Sequence, residues 1–117
     1  MNYNTTAEDI ADYTFEARKQ CALIVLSMHW QVGKSIMDMR GEGFSIDKLY
    51  SLVEYHCKGN CPSSHTLLVD TIFYSMNSDW EKMEGGNLSY QYYKETINAM
   101  LIDKGLDDDA VWQELMK

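Results

Sequence analysis

The sequence predicts an all-α protein, a compact bundle of about five to six helices with a long central first helix that breaks near Gly33. Apolar residues recur at three- and four-residue steps along most of the chain, the helical period. A single proline and the lack of evenly spaced glycine turns fit neither a β-sandwich nor a barrel. Capping residues stand where the apolar stripes begin, and glycines where they end. With 117 residues, 45% hydrophobic and 24% charged, the chain reads as one domain spanning 1–117 with a core of its own.

Thr6, followed by Ala7, Glu8 and Asp9, predicts the start of the first helix, with acids where the helix dipole favours them. Ile10, Tyr13, Ala17, Cys21, Ile24 and Met28 then fall on one face. Around residues 22–30 apolar side chains occur on every side, as in a helix surrounded by others. A straight helix over residues 7–39 would measure about 50 Å, against roughly 35 Å for a fold of this length. A break near Gly33 resolves the conflict; the alternative is a projecting end that packs on a second subunit. A buried strand over 21–28 is the competing reading, and it lacks a partner strand.

Ser45 caps a second helix carrying Ile46, Leu49, Tyr50, Val53 and Cys57 until Gly59 and Asn60 stop it. Leu68, Ile72 and Met76 make a third stripe, expected to form a hairpin with the second. Ser78 and Glu81 form a capping-box pattern for a short fourth helix, which Gly85 and Gly86 close. Asn87 or Ser89 caps a fifth, with Tyr93, Ile97, Met100 and Leu101 on one side and Gly105 just past its end. The last helix follows Asp107, Asp108 and Asp109 and carries Val111, Trp112, Leu115 and Met116. Met28, Met76 and Met100 fall on apolar stripes and are expected to fill the core.

The formal net charge of -8 repels phosphate backbones and anionic lipid, which argues against direct nucleic-acid or membrane binding. Its placement is uneven. Residues 1–16 hold four acids and no base, residues 17–60 are mildly basic, and residues 61–117 hold ten acids against four bases. The polar start, the short apolar runs and the odd count of three cysteines point to the cytoplasm.

His56, Cys57, Cys61 and His65 are the sharpest cluster of metal-ligating residue types. Their spacing matches no familiar zinc pattern, so Cys57, Cys61 and His65 form an alternative reading, a zinc-stabilised regulator, and no cofactor is expected. Cys61 with His65 is the only close nucleophile and base pairing, and no hydrolase signature surrounds it. The chain has neither a P-loop nor a dinucleotide fingerprint, and the three consecutive aspartates lack the alternation of a calcium loop. An enzyme is therefore not expected.

What remains is binding. Asp103, Asp107, Asp108, Asp109 and Glu114 make the C-terminal quarter an acidic surface, and Tyr90 and Tyr92 are expected to be exposed as anchors beside it. Such a surface suits a basic protein partner, for instance one that normally holds nucleic acid. In size and charge the chain is similar to small phage and mobile-element antagonists, such as anti-CRISPR and antirestriction proteins, a likeness of composition alone. A structural homodimer along the first helix is the further alternative.

Overall fold

An acid and a threonine stand inside the third helix between leucines, valine, isoleucine and phenylalanine, and this segment is the centre of the protein. A computed structural model describes residues 2–41 and 43–117. Among these, six helices occur and no strand: α1 (Tyr3–Met37), α2 (Ile46–Cys57), α3 (Ser64–Met76), α4 (Trp80–Glu84), α5 (Tyr90–Lys104) and α6 (Asp108–Leu115). In α3 every residue from Leu67 to Phe73 is buried, because α1, α5 and α6 pack around it on different sides.

The helix ends follow local chemistry. Ser45, Ser63, Ser89 and Asp107 each accept a hydrogen bond from a backbone amide of the first turn that follows. Asp79, rather than Ser78, caps α4, and Asn2, rather than Thr6, caps α1. Gly105 ends α5 at φ 65°, a left-handed position that glycine adopts without strain. The end of α1 is tied to the far end of the chain: the Gly41 amide donates to the Met116 carbonyl and the Arg40 guanidinium to that of Lys117.

The long first helix does not break near Gly33. It runs unbroken over 35 residues to Met37, and Gly33 is buried within it. The glycine serves a close crossing. A methyl group there would lie 2.1 Å from the Asp70 carbonyl oxygen and 2.8 Å from Tyr74 Cβ, so only glycine lets α1 and α3 meet at this depth.

The length conflict is resolved by projection, and it is the N-terminal half that projects. The molecule measures 65 × 33 × 25 Å, and residues 2–22 of the chain are all exposed. Leu26, Trp30, Gly33 and Ile36 are the buried residues of α1. At 3.6 residues per turn they centre roughly 160° away from the stripe of Ile10, Tyr13, Ala17, Cys21, Ile24 and Met28. The most regular apolar face of the sequence thus points away from the protein's own body.

Two further expectations change. Of the three methionines expected in the core, Met28 and Met76 are exposed and Met100 packs against it. Nor do α2 and α3 form a tight hairpin: α2 has no buried residue and leans on the bundle through Ile46, Leu49, Tyr50 and Val53, while α3 packs chiefly on α1.

Replacing Gly33 by alanine raises intrinsic helix propensity by about 1 kcal/mol. Overpacking against backbone costs about 1–3 kcal/mol or more. At 2.1 Å the clash is severe, so Gly33→Ala should lower the urea midpoint of unfolding; a raised midpoint would contradict the close crossing.

Candidate functional site

The residues proposed from the sequence divide once their surroundings are known. Tyr90 is not an exposed anchor: it is buried at 9% exposure, and its hydroxyl donates to Asp70 Oδ1 at 2.5 Å. Burial, and then the carboxylate beside it, hold that hydroxyl well above its ordinary pKa. Tyr92, two residues on, points outward and is 50% exposed. Residues two apart on a helix point to nearly opposite sides, and the ring whose hydroxyl found a buried acceptor went inside.

Tyr90 is one corner of a polar network that joins three helices. His29 of α1 lies with Nδ1 at 2.8 and 2.9 Å from the two oxygens of Asp70 of α3, and its ring stacks on Tyr90 of α5 with 3.5 Å between centroids. A carboxylate only accepts, so the Nδ1 nitrogen carries the hydrogen. Asp70 itself is 1% exposed, with three short hydrogen-bond contacts satisfying its two oxygens. Neither His29 nor Asp70 was singled out above. The signal was present, since Asp70 and Thr71 interrupt an otherwise apolar run in α3. A His–Asp pair also orients catalytic bases. Here the pair meets Tyr90, and the three side chains together tie α1, α3 and α5 to one another.

The C-terminal acids are largely occupied. Asp107 caps α6 by accepting from the Ala110 amide at 2.8 Å. Asp108 pairs with His65 Nδ1 at 2.8 Å, and Glu114 pairs with Lys117 at 3.2 Å. Asp103 and Asp109 are exposed and have no hydrogen-bond or ion-pair partner among the described residues. The expected acidic patch is therefore thinner than the count of carboxylates suggests.

His65 is drawn toward α5 and α6, where its other nitrogen meets Asn98 Oδ1 at 2.8 Å. Both of its ring nitrogens are thus engaged by α5 and α6. Cys57 is exposed and Cys61 half-buried, and no group of three metal-ligating residues comes together among the described residues.

The unclaimed surface is the projecting half of α1. One side carries the apolar stripe, with Tyr13 at 73% and Ile24 at 68% exposure. Roughly 130° around the helix, Glu8, Asp9, Asp12 and Glu16 line a second side. None of these four is in an ion pair among the described residues. Where the arm leaves the body, Phe15, Arg18, Lys19 and Ala22 face Leu88 and Ser89 across an open groove of about 510 Å³. No helix among the described residues is long and apolar enough to cross a membrane. Comparison with known proteins finds no match among family models, curated proteins or solved structures.

Hydrogen bonds to a charged group contribute about 1.5–3 kcal/mol, whereas exposed substitutions stay within about 0.5 kcal/mol. Tyr90→Phe should therefore destabilise the fold by about 2 kcal/mol in chemical denaturation, and Tyr92→Phe should not; equal effects would remove the network from its structural role. The His65 pKa is raised, first by the Asp108 hydrogen bond, then by Asn98, against opposing desolvation. A raised folded pKa means that the stabilisation is complete below about pH 6.5, the unfolded value, and is lost as pH climbs through the folded one. The pair is nearly half exposed, so the effect should stay below about 1 kcal/mol. Proton NMR titration should find His65 above the ordinary value and returned toward it by Asp108→Asn.

Proposed function

We propose that the protein is a small acidic binding protein, not an enzyme, that lays the charged side of its arm against a basic protein surface of the kind that otherwise holds nucleic acid. One observation carries this reading: four carboxylates stand on an exposed helix clear of the body, without cationic partners among the described residues. Glu8, Asp12 and Glu16 repeat at four-residue steps, about 6 Å apart along the axis. Like charges so spaced destabilise a free helix by about 0.2–0.5 kcal/mol per pair. A basic groove removes that repulsion and gains attraction in its place. The net charge of -8 steers the encounter. Asp103, Asp109 and Tyr92 are exposed on the body and offer further contacts.

In this reading the protein competes with nucleic acid for its partner, and the likeness in size and charge to phage and mobile-element antagonists belongs to the same proposal. The reading is tested by affinity capture from the source cell with the unaltered chain and with a variant carrying Glu8→Gln, Asp9→Asn, Asp12→Asn and Glu16→Gln. The unaltered chain should retain a basic protein at about 50 mM salt and release it at several hundred millimolar, where the Debye length falls to a few ångströms. The variant should retain several-fold less. Equal capture by both chains overturns the proposal, and Asp103→Asn with Asp109→Asn reports the share of the body.

A further inference from the structure

We propose that the outward face of α1 pairs with the same face of a second copy of this chain, antiparallel, with the two-fold axis passing beside Ala17. The first argument is spacing. From Ile10 through Tyr13, Ala17 and Cys21 to Ile24 the steps are three, four, four and three, the same read in either direction from Ala17. The symmetry continues outward: Thr6 and Met28 lie four residues further, and Tyr3 and Gln31 three beyond those. A two-fold interface requires such self-matching, since residue i of one copy meets j of the other while j meets i. Reversal about Ala17 sets Ile10 against Ile24 and Tyr13 against Cys21, with the smallest side chain at the crossing, where helix axes approach most closely.

The second argument is area. Tyr3 is 82%, Ile10 59%, Tyr13 73%, Ile24 68% and Met28 52% exposed, and of these Met28, nearest the body, borders α2. With 150–250 Å² for each aromatic ring, burying most of this face removes roughly 500 Å² per copy. The total of about 1,000 Å² reaches the lower bound of a specific interface. In proteins most helical stability comes from packing an amphipathic face, and a cover over this face would supply it to the arm.

Continuity is the third argument. Toward the body the stripe runs into an apolar hollow of about 390 Å³, walled by Met28, Val32 and Ser35 of α1 and by Leu49 and Val53 of α2. The same register brings the second copy's Tyr3 beside Gln31, which lines that hollow. Its ring would give α2, which has no buried residue of its own, a surface to close upon.

Charge adds a small preference in the same direction. In a parallel pair, residues 8–16 with their four acids would lie beside four identical acids. Antiparallel pairing lays them along residues 18–26, whose only charges are Arg18 and Lys19. With the helix axes 8–10 Å apart and the acids roughly 130° from the seam, the charges stand more than one Debye length apart in physiological salt, so this preference is small and grows as salt falls. Because the acids occupy another side of the arm, this inference and the proposed function fail independently.

The test uses the native thiol. In a Cys57→Ser, Cys61→Ser background, antiparallel pairing places the two Cys21 residues eight positions, about 12 Å, apart along the axis, beyond disulfide reach. Mild oxidation should leave this chain uncrosslinked, whereas adding Tyr13→Cys should convert it largely to a covalent dimer. Light scattering at about 0.5 mM should give twice the mass of one chain, and Ile10→Glu with Ile24→Glu should halve it while cooperative thermal unfolding persists. A single-chain mass for the unaltered protein, a Cys21 to Cys21 crosslink, or a dimer that survives the double glutamate change would each overturn the inference.

Discussion

Asp70 is the residue on which the rest of the structure depends. Its carbonyl oxygen lies where a Gly33 side chain would be, and its carboxylate receives His29 and Tyr90. One residue thereby sets how closely α1 and α3 cross and how α5 is turned against both. A buried carboxylate is costly unless its lone pairs are met, and here each oxygen has a short partner. The apolar contacts around it, from Leu68 and Phe73 to Ile97, provide the burial energy without a unique register. The polar network selects one arrangement among the many that such contacts permit.

That crossing has a consequence at the other end of the molecule. With Gly33 against Asp70, the body can cover α1 only from about residue 23 onward, and the preceding five turns extend beyond the 33 × 25 Å cross-section. The arm is amphipathic in its own right, with an apolar side and an acidic side that do not overlap. Binding by charge and self-association by burial can therefore coexist on one helix. Meanwhile three of the five acids of the C-terminal quarter serve the fold itself, in a cap and two ion pairs.

Much of the fold was legible because its signals are local. Ser45, Ser89, Asp107 and Gly105 act within one turn of their own position, so their roles can be read without knowing the tertiary structure. The candidate site was less legible. Tyr90 and Tyr92 look alike in sequence, and which of them goes inside depends on where Asp70 sits. His65 reads as a ligand beside Cys61 until Asp108 and Asn98, more than thirty residues away, occupy both of its nitrogens. Gly33 reads as a helix breaker from propensity alone, yet a glycine can also mark a close approach, and that distinction lies in the neighbouring helix.

By itself, then, the sequence determined that the chain is helical, where five of its helices stop or start to within a few residues, and that the first carries a continuous apolar stripe. Each of these rests on periodicity and capping, which are properties of neighbouring residues. Only the tertiary structure decided which face of that helix is buried, that Gly33 continues it, and which acids remain unpaired. Those outcomes depend on residues distant in the chain meeting at Asp70, and a period along one helix carries no information about which side its neighbours will take.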